Sequence, residues 1–226
     1  MVLNREEILE RMRRPASDRL GLVITPLLRQ KESDVFDADS VDLRLGCYFM
    51  LPKTLDQPFF SPDKTSATSL HVRVHVPLGE FLVVPAHQTI LGATLEFIKL
   101  PSDVSGEVLT KSSVARTFIV VETAPWIHPQ YRGCLTLEIA NVSNTPVLLY
   151  PGRFICQLIL MHTADSPEEK PDPSYFGPVY PEAPKFRDPQ DDLLKIGVTK
   201  VSRLKKTRVN WKNGKWVESQ SEVDKW

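Results

Sequence analysis

The run Leu135-Thr136-Leu137-Glu138-Ile139-Ala140-Asn141 alternates, so that Leu135, Leu137 and Ile139 share one face of a strand and Thr136, Glu138 and Ala140 the other. A carboxylate in mid-strand has two readings: a solvent-facing group on an amphipathic strand or, where that side is covered, a costly charge kept because it is needed. The second makes Glu138 a candidate site residue with a shifted pKa. Lys111-Ser112-Ser113-Val114-Ala115-Arg116 packs two cations and two hydroxyls into a short span after a strand-like run. Such a set suits an anion such as a phosphate through charge-assisted hydrogen bonds, and a solvated turn has the same composition. Thr123-Ala124-Pro125-Trp126-Ile127-His128-Pro129-Gln130-Tyr131-Arg132-Gly133 is a Pro-rich turn with aromatics, leading into the strand that holds Glu138. A flat ring beside exposed backbone groups can hold a base or a sugar. His128 in that turn is a surface or hydrogen-bonded histidine, or a base.

These groups need a rigid frame. Glu6 to Arg14 carries Ile8, Leu9 and Met12 at helical spacing, with Asn4 placed to cap and Pro15 to stop the helix. From Leu22 to Leu160 the chain turns to short alternating or apolar runs such as Val41–Leu45, His71–Val76, Phe81–Val84 and Thr89–Leu95. Frequent prolines punctuate these runs, and an all-β sandwich or barrel is expected. The division expected is a β domain over 1–165, a Pro-rich arm over 166–190 and a basic extension with tryptophans over 191–226. Lys195 to Lys215 holds eight Lys or Arg and no Asp or Glu, with Trp211 and Trp216 close by. That composition fits either a phosphate-touching, base-stacking tail or a terminal hairpin whose charges face water.

Composition narrows the classes. The 226 residues are 42% hydrophobic and 25% charged, enough to bury a core, and 28 basic residues balance 28 acidic ones, so net charge announces no nucleic-acid partner, though the basic tail leaves one open. Cys47, Cys134 and Cys156 form neither a CxxC pair nor an even disulfide framework, which fits a reducing compartment. The N-terminus lacks the apolar core of a signal peptide and no run is long enough to span a membrane, so a cytoplasmic protein is expected. P-loop, dinucleotide-fold, hydrolase-elbow and zinc-deaminase signatures are absent.

Taken in order, the motifs resemble the dCTP deaminase branch of the dUTPase-like superfamily. The match runs through Ser40-Val41-Asp42-Leu43-Arg44-Leu45-Gly46, Lys111–Arg116, Thr123-Ala124, Tyr131 and Gly133, Leu135–Asn141, Tyr150-Pro151-Gly152 and Gln157-Leu158, and spans about residues 1 to 162. The resemblance implies a mainly β, distorted β-barrel or jelly-roll-like fold with a short N-terminal helix. It also implies a homotrimer with nucleotide sites between subunits. The implied substrate is a deoxypyrimidine nucleoside triphosphate, and the implied reaction is zinc-free hydrolytic deamination of dCTP to dUTP and ammonia, with Mg2+ on the triphosphate. Glu138 matches the catalytic general acid and base, and Ser112 the serine that positions water or base. Lys111, Ser113 and Arg116 fall at substrate-binding positions, Thr123 and Ala124 would read the pyrimidine edge, and Tyr131 would pack on the deoxyribose. His128 and Gln157 complete the set.

The chain also departs from the family. Ile127-His128-Pro129-Gln130 stands where Ile-Asp-Pro-Gly is usual, and in monofunctional dUTPases that Asp activates the water attacking the α-phosphate. Phe118 occupies a position where Gly is common, within a span one residue short, and Trp126 replaces a residue that is often basic. Of the arm motif only Tyr175-Phe176-Gly177-Pro178 and Lys185-Phe186-Arg187 are loose counterparts. Two alternatives accompany the deaminase reading: a dUTP diphosphatase or bifunctional enzyme on the same fold, and a non-catalytic nucleotide-binding module.

Overall fold

The computed structural model describes residues 1–27, 35–54, 70–122, 124–164 and 177–183, together with the backbone of 208–212 and 215–219. Two compact units are present, Met1–Pro184 and Lys185–Trp226.

Helix α1 (Arg5–Arg13) starts where the sequence places it. Asn4 accepts from the Glu7 amide and the Glu7 side chain accepts in return from the Asn4 amide, a complete capping box that satisfies donors the first turn leaves open. Ile8 is fully buried, Leu9 and Met12 pack against the core, and Arg11 holds Asp103 through paired bonds of 2.8 and 2.7 Å. Leu3 donates its amide to Leu160 at 2.8 Å, tying the chain start to the sheet.

The strands are β1 (Val23–Thr25), β2 (Ser40–Arg44), β3 (Tyr48–Pro52), β4 (His71–His75), β5 (Leu82–Val84), β6 (Thr89–Lys99), β7 (Val104–Thr110), β8 (Ile119–Val121), β9 (Trp126–Ile127), β10 (Arg132–Asn141), β11 (Val147–Leu149) and β12 (Phe154–His162). One helical turn, α2 (Ser112–Ala115), separates β7 from β8. Antiparallel pairing gives a six-stranded sheet in the order β4-β3-β6-β10-β8, with β1 also on β6. A four-stranded sheet runs β2-β12-β7-β9, and β11 and β5 form a separate pair. Phe49, Ile90, Leu137 and Ile139 from the first sheet share one apolar core with Val41, Leu43, Val108 and Leu158 from the second. The expected barrel is corrected on this point: among the described residues no continuous ladder closes the strands into a ring, and the two large sheets are linked through an isolated bridge, Leu45↔Thr94. The sheets are held instead by side chains between them. Arg44 and Glu96 are buried there, with Arg44 Nε on Glu96 Oε1 at 2.7 Å and the Arg44 amide on Glu96 Oε2 at 2.9 Å.

In the second unit, β13 (Arg208–Lys212) and β14 (Lys215–Ser219) form an antiparallel hairpin with Trp211 opposite Trp216. The basic run 195–207 lies outside the described residues. Among those described, no helix is long and apolar enough to cross a membrane.

Candidate active site

Strand β10 carries out the alternation seen in its sequence. Leu135, Leu137 and Ile139 are in the core at 5%, 0% and 0% exposure, which turns Thr136 and Glu138 to the outer face of the six-stranded sheet. Glu138 is paired in register with Leu91 of β6, and its carbonyl accepts from the Glu122 amide at 2.7 Å. Its side chain is half-buried and does not point into bulk solvent: Oε2 is buried and has no hydrogen-bond partner among the described residues. Buried carboxylate oxygens are normally satisfied, so an unpartnered one marks a place where a donor is missing.

The edge of β10 changes partner along its length. β8 covers only Ile139 to Asn141 of that edge. Before Glu138, a strap made of residues 177–183 takes over: Gly177 donates to the Arg132 carbonyl at 2.9 Å, Cys134 donates to Pro178 at 2.7 Å, and the Glu182 amide donates to Thr136 Oγ1 at 3.1 Å. Gly133 is required here, because its φ is +146° and a Cβ would stand 2.5 Å from Pro178 Cδ. The Tyr180 ring meets Tyr48 of β3 edge-on, centroids 4.5 Å apart, and Pro181 is buried.

The cationic cluster sits elsewhere. Along β12, Gln157 pairs with Asp42 of β2 and Leu109 of β7; Leu43, Val108 and Leu158 point into the core, so Gln157 and Asp42 face outward from the four-stranded sheet. Lys111 reaches that outward face and forms an ion pair with Asp42, with its ammonium 5.7 Å from the Phe154 ring centre. It is therefore neutralised locally, whereas Arg116, exposed at the end of α2, has no ion pair among the described residues. Ser112 is exposed, and Ser113 lines an open cavity of about 210 Å3 with Val114, Thr117, Tyr150 and Arg153. Glu138 is on the outer face of the other sheet and does not line this cavity. The structure thus gathers Lys111 and Gln157 on one face, and Glu138 with the strap on another.

The turn between β8 and β10 meets Glu138 through Glu122 and ends at the other end of β10, where the Leu100 amide donates to the Tyr131 carbonyl at 2.9 Å. Ala124 and His128 are exposed, and Thr123 lies outside the described residues. Tyr131 is half-buried and donates its hydroxyl to the Cys134 carbonyl at 2.8 Å, leaving its ring as the group it can offer; burial pushes that phenol above its ordinary range. Burial also pushes the Cys134 thiol up to about 11 and Cys156 higher still, which keeps both as neutral thiols at neutral pH. Phe118, at the position where the resemblance makes Gly common, adopts φ +64°. Sequence reasoning missed Asp42 as the partner of Lys111, Arg153 at the cavity, and the Tyr180–Tyr48 pair on the sheet that carries Glu138. Asp42 and Arg153 lie in or next to motifs that were visible, whereas nothing in the Pro-rich arm points to its seat on β10.

A family model described as dCTP deaminase-like matches residues 2–163. The chain belongs to the dCTP deaminase-like family. A dCTP deaminase, dUMP-forming, from Methanosphaera stadtmanae is 34% identical over 182 residues, 77% of this chain and 90% of the relative. One from Coprothermobacter proteolyticus is 38% identical over 139 residues, 61% of this chain and 72% of that one. The crystal structure of 2′-deoxycytidine 5′-triphosphate deaminase from Agrobacterium tumefaciens aligns with a TM-score of 0.53 at 23% identity, covering 70% of this chain and 47% of that longer one, and supports the fold. The family read from the ordered motifs is borne out. The product carried in the names of these relatives is dUMP, where the resemblance led to dUTP.

Proposed function

We propose that this member of the dCTP deaminase-like family deaminates dCTP, with Glu138 moving the protons. The observation that carries the reading is the buried, unpartnered Oε2 of Glu138 on the outer face of β10. Water adds across the C4=N3 bond of the cytosine, its oxygen going to C4 and a proton passing through Glu138 to N3. The C4–N4 bond then breaks as Glu138 relays the remaining hydroxyl proton to the amino group, and ammonia and a uracil base result. A carboxylate with one buried oxygen committed to no other donor among the described residues is suited to this double role.

Ser112 would hold the attacking water, the Ala124 backbone would meet the pyrimidine edge, and the Tyr131 ring would pack on the sugar where a 2′-hydroxyl finds no room. Arg116 would take phosphate oxygens, with Ser113 and Gln157 beside it and Lys111 set in place by Asp42. Because Glu138 and the Lys111–Gln157 face belong to different sheets, one chain does not bring them together, which supports a site completed between protomers of a homotrimer. An exposed apolar patch of Phe81, Val83, Leu148 and Tyr150, with Val83 directly opposite Leu148, supplies a surface for such contacts. Magnesium in this proposal arrives on the triphosphate as part of the substrate.

The names of the relatives favour a second step, cleavage to dUMP and pyrophosphate. In this chain His128 stands where the family has Asp, and an imidazole is a group that can take the proton of a water attacking the α-phosphate. Incubation of the purified protein with dCTP, dUTP or CTP and Mg2+, with products separated by mass, tests both steps. Ammonia and a uracil deoxynucleotide from dCTP, with CTP untouched, are expected. No ammonia from dCTP overturns the deaminase reading, and dUTP as the accumulating product removes the second step.

A further inference from the structure

Tyr48, Met50, Leu91, Ala93, Thr136 and Glu138 share the outer face of the six-stranded sheet, since cross-strand partners lie on one side: Met50 faces Leu91, Leu91 faces Glu138 and Ala93 faces Thr136. On an outward sheet face such residues would ordinarily be wet. Met50 and Ala93 are instead 3% and 2% exposed. The strap lies at this face, with Pro178 seated against Gly133, Tyr180 clasping Tyr48, Pro181 buried and the Glu182 amide on Thr136, which precedes Glu138 by two residues on the same side. Beyond Thr136 the edge of β10 passes to β8 and the turn that follows it, through the bond from the Glu122 amide to the Glu138 carbonyl. Glu138 therefore follows directly on the strap's last contact, at Thr136, and is met on its own backbone by Glu122.

We propose that residues 177–182 form a fixed wall of the nucleoside end of the site, and that Tyr180 and Tyr48 are positioning residues that clasp this wall against the sheet. The inference rests on the proposed deamination at Glu138 and adds which segment sets the base and sugar against that carboxylate. The clasp carries no proton and touches no reacting atom; its effect is on how well the nucleoside is held. An edge-on aromatic pair contributes enough beyond burial to change binding about three- to tenfold.

The test uses the full chain, with Tyr180→Ala, Tyr48→Ala and the double variant, and measures KM and kcat for dCTP with Mg2+ and the inhibition constant of dCMP. A wall at the nucleoside end predicts that dCMP competes with dCTP in the unaltered protein. Each single variant then raises KM about three- to tenfold with kcat within about twofold and weakens dCMP by the same factor, and the double variant is no worse than Tyr48→Ala, which removes the Tyr180 contact together with the Tyr48–His75 pair. Unchanged KM, a lower KM as for a strap that obstructs the site, or weakening of dCTP alone as for a triphosphate lid, overturns the inference. A protein that releases no ammonia from dCTP instead defeats the underlying reading, and dCMP binding measured by calorimetry still reports on the clasp.

Discussion

Replacing Arg44 by Met should be among the most damaging changes in the core, and its cost can be worked from the contacts. Glu96 is completely buried between the sheets and Arg44 is 6% exposed. The substitution removes the bond from Nε to Glu96 Oε1 and the bond from Nη2 to the Pro26 carbonyl at 2.6 Å, leaving the carboxylate with backbone donors alone, the amides of residues 44 and 96. An uncompensated buried charge of this kind costs about 3–5 kcal/mol. Removing both charges, in Arg44→Met with Glu96→Leu, should recover most of that and leave a deficit of about 1–2 kcal/mol from the unpaired backbone groups. pH supplies a further handle. Burial raises the Glu96 carboxyl above its ordinary value even with Arg44 present, so the folded chain holds that proton at pH values where the unfolded chain has lost it, and stability falls as pH rises through that window. Without Arg44 the shift grows, so the deficit of the single variant should shrink as pH is lowered from 7 towards 5. Urea unfolding of the three proteins, with the slope m checked for constancy, measures all of this. A single variant that loses less than about 1 kcal/mol, or a double variant as unstable as the single, refutes the reasoning. The pair also matters to the site, because β2 carries Asp42, which holds Lys111, and β6 carries Leu91, which lies beside Glu138.

Glu138→Gln should lower ammonia release from dCTP at least about a hundredfold while leaving the melting temperature unchanged or raised, as read by a coupled ammonia assay and calorimetry. Phe118→Gly should stabilise the chain by up to about 1 kcal/mol in urea melts, because φ +64° strains a bulky residue and the 60% exposed ring has little burial to lose. Cys134 keeps its proton to about pH 11 in the folded chain against about 9 for an ordinary thiol, so stability drains away between those values by up to about 3 kcal/mol. Cys134→Ala should flatten that part of the pH–stability curve relative to the unaltered protein.

The parts of the fold visible beforehand are those whose signals are local. The capping box at Asn4 and Glu7, the proline after α1 and the period-two pattern through Glu138 are each written within a few neighbouring residues. The barrel expectation failed because closure depends on which edges pair, and no run of residues declares its partner across the sheet. The same holds at the site. Lys111 has the composition of a phosphate ligand, but its charge is met by Asp42, 69 positions away in the chain. Glu96 looks like one more polar residue in an alternating strand, and only the meeting of β2 with β6 makes it a buried ion pair. The arm was legible as Pro-rich, yet the seat of residues 177–183 on the sheet depends on Gly133 and Tyr48, 45 and 132 positions before Pro178 and Tyr180. The Phe118 departure was visible as a missing glycine, and the positive φ gives that absence its physical meaning.

The central claim, that a water activated at Glu138 attacks the cytosine ring, is tested most directly by turnover of dCTP with Mg2+ in 18O-labelled water, followed by mass analysis of the separated base and phosphate fragments. The account predicts one labelled oxygen on the uracil base together with one ammonia for each nucleotide converted, and neither in Glu138→Gln protein. Label found on phosphate alone, with the cytosine amino group retained, would contradict it.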